Sequence, residues 1–395
     1  MPSLSPQQIQ TVVHRALGSD THILDYRLEP FTKQKNGILG MHYLLTVRTN
    51  RSQRTYSYFL KTPAEASVIR DMMGGTVFSE EIHFYKHIQP LLIANYNIEK
   101  WSPSCYLADI NTLVLEDLRA QGFSISVDWP LNGTLVRSAL SSLARFHASS
   151  ILVQMRLGPS FKSLYSNAIE EKVYTNLQKF RQINLVGYET VALMAGKLGL
   201  DSSLVQKVFD RAYENMKPEE GKCNVLCHSD LWKNNLMFDK SVPPRCVLVD
   251  YQMLKYASPA LDVGMLLYVN TTPEFRKEFE GEMLEHYYST FCTTLLTSDL
   301  SDQVQIPSYD SMLKDYHEKR LIGITYAAFF LPSLYLSVED LSMLLNNPAE
   351  LEKWLFRNRF DLISAHMDVD PLYKNKMKDI VTELIEEGKR VLGDG

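Results

Sequence analysis

Near Leu118 the chain changes its hydrophobic period, and this change limits the fold more than any other feature of the sequence. Before it, extended runs dominate. Residues 43–47 (YLLTV) and 55–60 (TYSYFL) flank a polar turn, and residues 105–107 and 112–116 continue the pattern. A short helix is expected over residues 5–17, with Ile9, Val12, Val13 and Ala16 as its apolar stripe, and another over 77–88. Beyond Leu118, helix spacing takes over, at 134–149, within 161–185, and at 204–216, 273–296, 308–334, 348–364 and 375–391. Strands followed by helices predict an α+β chain with a small β-rich lobe, residues 1–118, and a large helical lobe, residues 119–395. With no tandem repeat or low-complexity linker, the lobes are expected to pack as one catalytic unit.

Of 395 residues, 45% are hydrophobic and 22% charged, with Tyr 21 and Phe 17, so the chain can offset ordering entropy by burial and is not expected to be disordered. A formal charge of −5 and no long basic run argue against a nucleic-acid partner. The N-terminus lacks a secretory pattern. The apolar stretch 321–338 carries no charge, but Pro332 interrupts it and Thr325, Tyr326, Ser333, Tyr335 and Ser337 add polar groups. A buried helical pair or pocket wall is expected there, not a membrane span. Cys105, Cys223, Cys227, Cys246 and Cys292 have no regular spacing. Core roles are favoured over disulfides or a zinc site at Cys223, Cys227 and His228, with a reducing cytosol as the default compartment.

The chemistry concentrates in VLCHSDLWKNN, residues 225–235, and in CVLVD, residues 246–250. A polar, proline-containing turn separates two short apolar runs, which read as a hairpin. A turn centred near Val242 and Pro243 brings Asn235 close to Asp250, with Asp230 in the loop feeding the first strand. An amide oxygen beside a carboxylate suits Mg²⁺, and Asp230 is placed to orient an incoming hydroxyl and accept its proton during phosphoryl transfer. The plainer alternative is a polar turn on a packed hairpin.

Lys61 ends the strand run 56–60, where its ammonium can reach nucleotide phosphates. On the helix VFSEEIHFYKHI, Glu81 lies at the centre of the stripe formed by Val77, Phe78, Phe84, Tyr85 and Ile88, whereas Glu80 points about 100° away. A carboxylate on a buried face needs a cation, so Glu81 is the expected partner of Lys61. KNGILGMHY, residues 35–43, supplies Gly37 and Gly40 for a phosphate-covering loop, or for an ordinary hairpin turn. VLEDL, residues 114–118, suits an adenine-binding linker, with backbone groups near Glu116 and Leu118 facing the base.

Together these segments resemble the insect ecdysteroid-kinase-like (CHK kinase-like) family, related to choline and aminoglycoside kinases. The resemblance rests on HSDLWKNN, on Asp250-Tyr251-Gln252, on Pro259-Ala260-Leu261-Asp262, on VLEDL with LARFHASS, and on Phe78, Glu81 and Tyr85. It implies a protein-kinase-like bilobal fold, ATP and Mg²⁺ as cofactors, and phosphorylation of a small-molecule hydroxyl. In its terms Asp230 is the catalytic aspartate, Asn235 and Asp250 are the metal-side groups, Lys61 and Glu81 position phosphate, and Asp262 braces the catalytic loop near His228. The chain departs from the family pattern at His42, where asparagine is common, and at Ser229, where glycine is frequent. The family also points to a steroid-like alcohol, with choline-like, antibiotic or detoxification substrates left open. Tyr326, Phe329, Phe330 and Tyr335 are candidates to line its pocket, or simply pack between helices.

Overall fold

Five antiparallel strands carry the N-terminal part, in the order β1-β2-β3-β5-β4. They are β1 (Ile23–Pro30), β2 (Gly40–Thr49), β3 (Ser52–Pro63), β4 (Cys105–Asp109) and β5 (Thr112–Glu116). The computed structural model describes residues 4–31, 40–63, 76–94, 99–158, 163 and 178–393. The two-residue period sorts the sheet into faces. Tyr43, Leu45, Val47, Tyr58, Leu60 and Val114 pack beneath Ile9, Val12 and Val13 of helix α1 (Pro6–Leu17). The opposite face turns toward the second lobe. Register places His42 across from Lys61, Lys61 across from Leu113, and Phe59 across from Leu115. A capping box starts α1: Ser5 N donates to Gln8 Oε1, and Gln8 N donates to Ser5 Oγ.

Helix α2 (Thr76–His83) continues through a π-helical turn, Phe84–Ile88, and a final turn, Gln89–Ile93. It docks on the second lobe through Phe84, whose ring stacks on Tyr251 at 4.2 Å and 13°. The helical lobe is built around α3 (Gly133–Leu157), α4 (Gln178–Lys197), α5 (Val205–Asn215), α6 (Ala260–Asn270) and α7 (Pro273–Leu296). Helix α6 is buried along its whole length, as expected of an all-round apolar helix at a domain centre. Five short strands accompany these helices. β6 (Ser124–Ile125), β8 (Leu236–Phe238) and β9 (Cys246–Leu248) form one ribbon, and β7 (Val225–Cys227) with β10 (Lys255–Ala257) another.

The C-terminal helices differ from expectation in their breaks. The run 308–334 is two helices, α8 (Tyr309–Lys319) and α9 (Leu321–Leu334). Between them Arg320 bonds Glu387 at 2.8 and 3.0 Å, so a tertiary ion pair marks a break that no Pro or Gly announces. The run 348–364 likewise divides into α11 (Pro348–Phe356) and α12 (Phe360–Val369), after α10 (Val338–Asn346) and before α13 (Pro371–Leu392). Most of the candidate helix within 161–185 lies outside the described residues. Helix α9 is buried against α6 and α13. Among the described residues no single helix is long and apolar enough to cross a membrane, although α9 with the segment Glu339–Asn346 passes by length and composition as a pair bent by 91°.

Candidate active site

Strand β3 delivers Lys61 to the interlobe face with only 5% of the residue exposed. Its Nζ lies 2.6 Å from Glu81 Oε2 of α2 and 2.7 Å from Asp250 Oδ1 of the second lobe. Gly40, at the start of β2, leaves room for the lysine stem: a Cβ there would come 3.1 Å from Lys61 Cε and 3.2 Å from Thr62 O. Residues 35–39 of the glycine segment, Gly37 included, lie outside the described residues.

The β8–β9 register pairs Leu236 with Leu248, and Val249 N donates to Asn235 O at 3.0 Å. Asp250 follows immediately, so the ribbon sets Asn235 and Asp250 at one end. Asn235 Nδ2 donates to Asp230 O at 2.8 Å and to Asp230 Oδ2 at 2.9 Å, which ties the ribbon to the preceding loop. Gln252 Nε2 reaches Asp250 Oδ2 at 3.2 Å. Lys61, Glu81, Asp230, Asn235 and Asp250 therefore form one linked cluster.

Burial, and then the neighbouring Asp250 charge, push the Asp230 carboxyl up to about 7. Burial also raises Glu81, to about 7, against the opposing pull of Lys61. Burial acts to lower the Lys61 ammonium, but Asp250 and Glu81 outweigh it and hold the lysine protonated. An unpaired carboxylate as deep as that of Glu81 would be strongly disfavoured, and the Lys61 ammonium makes it tolerable there.

Behind the loop, Asp262 in the first turn of α6 accepts from His228 N at 2.5 Å, Ser229 N at 2.8 Å and His147 Nε2 at 3.1 Å. His147 Nδ1 in turn lies 2.7 Å from Tyr287 OH. The His228 ring reaches Val249 O at 3.0 Å, and burial lowers its pKa. The brace is needed because Ser229 adopts φ 63 and Asp250 φ 71, a left-handed region unfavourable to side-chain-bearing residues. This explains why glycine suits the Ser229 position. Although His147, Cys227 and Asp262 cluster, the Asp262 oxygens are taken by N–H donors and Cys227 Sγ bonds backbone carbonyls, so the cluster is a hydrogen-bond network. The five cysteines are free thiols.

The linker expectation is narrowed. Glu116 N donates to Ser104 O, and Leu118 O accepts from Phe123 N in the turn Leu118–Gln121. These two backbone atoms already have partners inside the protein. The Glu116 carboxylate accepts from Ser104 N at 2.9 Å and pairs with Lys100, while Leu118 packs on Phe123 and Val247 at the ribbon.

The candidate pocket aromatics are spread along α9 and just beyond it. Tyr326 is buried, with Lys255 Nζ 3.2 Å from its hydroxyl, and its ring stacks on Phe330. Phe329 faces Arg359, whereas Tyr335 packs on Trp129 at 4.6 Å. Trp129, Gln252, His147 and Tyr287 were given no role by sequence reasoning. For His147 the signal was present, because LARFHASS places it on the buried face of α3; the others meet their partners only through tertiary packing.

A β-rich lobe and a helical lobe that meet at a lysine, three acidic side chains and an asparagine define a kinase-like chain. The ecdysteroid kinase-like family profile matches residues 39–300, and the chain belongs to that family. An uncharacterized kinase-like protein of Caenorhabditis elegans is 22% identical over 260 residues, 64% of this chain and 66% of the relative. The 4-hydroxytryptamine kinase of Psilocybe cyanescens is 30% identical over 127 residues, 29% of this chain and 34% of the relative. The matches thus span less than two thirds of these relatives' lengths. Among solved structures, the Plasmodium vivax ethanolamine kinase is 11% identical, with 89% of this chain and 83% of that chain covered and a TM-score of 0.40. Choline kinase LicA of Streptococcus pneumoniae is 15% identical, with 86% and 95% covered and a TM-score of 0.38.

Proposed function

We propose that this chain is an ATP-dependent phosphotransferase that phosphorylates a hydroxyl of a small, hydrophobic, steroid-like molecule. The observation that carries this reading is the joining of Lys61 and Asp250, 189 residues apart, at 2.7 Å beside Asp230 and Asn235. Residues 1–118 form the nucleotide-binding lobe and residues 119–395 the catalytic and substrate-binding lobe.

The residues fit a magnesium ion: Asp250 supplies carboxylate oxygens and Asn235 an amide oxygen, both hard ligands. When bound, the ion neutralises the phosphate oxygens of the nucleotide. Lys61, oriented by Glu81, contributes positive charge on the nucleotide side of the cleft. Asp230 orients the acceptor hydroxyl and takes its proton, and a pKa near 7 matches a base working at neutral pH. The Asp262 brace fixes the loop geometry, so the reacting oxygen is presented in line. Family membership and the small-molecule kinases among the relatives support the substrate size; the aromatic side chains of α9 support an apolar acceptor.

A second reading is a nucleotide-binding pseudokinase that serves as a regulatory or interaction protein. It draws on the Lys61–Asp250 contact, which sets an ammonium against an oxygen that magnesium would use. Transfer of labelled γ-phosphate from ATP across steroid alcohols and polar alcohols separates the two. Product formed by the native chain and reduced about 10²-fold or more in Asp230→Asn supports phosphoryl transfer. Equal product from both proteins removes Asp230 from the chemistry. Nucleotide binding with no product on either panel favours the pseudokinase.

A further inference from the structure

Arg359, at the start of α12, is 5% exposed, yet among the described residues no carboxylate accompanies it. Its guanidinium has one protein hydrogen bond there, Nε to Trp354 O at 3.2 Å, and Cζ lies 4.7 Å from the centre of the Phe329 ring. Burial is what lowers its pKa, to about 10, so it stays protonated at neutral pH. A carbonyl and a ring face give partial compensation, but a buried cation ordinarily has an anion. The platform beneath it is built closely. The Phe329 ring edge lies directly on Gly187 of α4, where any Cβ would overlap the ring.

We propose that Arg359 on Phe329 is an oxyanion-binding site, and that its ligand is an acidic group, such as a carboxylate or sulfate, carried by the acceptor molecule. This deepens the phosphotransferase reading and rests on it for the identity of the ligand. Helix α9 runs from the buried Lys255 contact to the Phe329 platform. Lys255, five positions past Asp250, bonds the Tyr326 hydroxyl, and Phe329 lies three residues farther along α9, about 4.5 Å of helix rise. An elongated amphiphile with its hydroxyl at Asp230 then lays its apolar body along α9 and its anionic end on Arg359. A guanidinium offers planar paired donors for an oxyanion and stacks on aromatic faces, which a lysine would not match.

The test pairs acids with their uncharged esters, without nucleotide, so that it does not depend on phosphoryl transfer. Cholate and 6-hydroxy-2-naphthoate, their methyl esters and inorganic sulfate are titrated into the full chain by calorimetry. The expected result is at least one acid bound about tenfold or more tightly than its ester, with that preference lost in Arg359→Gln. Arg359→Met, which removes the uncompensated charge, is expected to stay folded by thermal melting and to lose the same preference. Equal acid and ester affinities in the native chain, or a preference that survives both substitutions, overturn the site. Sulfate binding as tightly as the acids, in an Arg359-dependent way, overturns the acceptor as the source of the anion. If the acid preference is found but no transfer occurs, the phosphotransferase reading fails while the oxyanion site stands.

Discussion

Two buried cations in this protein are treated differently. Lys61 is held between Glu81 and Asp250 at 2.6 and 2.7 Å, whereas Arg359 rests on a ring and one carbonyl. The first charge is balanced within the fold, so its partners are held in place by the chain itself. Among the described residues the second has no acidic partner, and the oxyanion proposed above would supply one. Burial alone therefore does not point to a ligand site; the proposed oxyanion site rests on burial together with an unbalanced charge.

The largest effect expected from breaking this contrast is at Asp230. Asp230→Asn should lower transfer by about 10²-fold to 10⁴-fold while leaving MgATP affinity within a few-fold, read by initial rates and calorimetry. Next comes the compensated cation. Lys61→Ala leaves Glu81 and Asp250 facing each other without an ammonium and should destabilise the fold by about 3–5 kcal/mol in urea unfolding. Arg359→Met, by contrast, should be neutral or stabilising, and a loss as large as that of Lys61→Ala would erase the distinction.

A pH series sharpens the point. The Asp230 carboxyl is raised from 3.8 to about 7 in the folded chain, so the folded state holds a proton that the unfolded state releases. Stability contributed by that proton is present below about pH 4 and is lost as pH rises to about 7. Relative to Asp230→Asn, the native chain should therefore weaken across this window, and parallel stability–pH curves would contradict the shift. An effect well below that of Lys61→Ala is expected at the loop. Ser229→Gly relieves a left-handed backbone and removes a buried hydroxyl without a partner, and should stabilise by about 1 kcal/mol in the same unfolding assay.

Local pattern carried much of this site. The approach of Asn235 to Asp250 follows from two apolar runs and the turn between them, and the Lys61–Glu81 pairing from one strand end and one helical stripe. Both depend on periods of a few residues, which a sequence displays directly. Arg359 was illegible because its environment comes from three separate helical stretches: Phe329 on α9, Gly187 on α4 and Trp354 on α11. The break at Arg320 was hidden for the same reason, since its partner Glu387 lies 67 residues away. The sequence also showed that Ser229 departs from the family's glycine, but only the backbone angle gives the reason.

The central claim is that Lys61, Asp230, Asn235 and Asp250 form one magnesium–nucleotide pocket. Calorimetric titration of ATP with magnesium, and with chelator in its place, tests it in the native chain and in Asp250→Asn. The account predicts tight binding that requires magnesium in the native chain and loses that requirement, with about tenfold or more of the affinity, in the variant. Identical isotherms for the two proteins, or no nucleotide binding by the native chain, would contradict it.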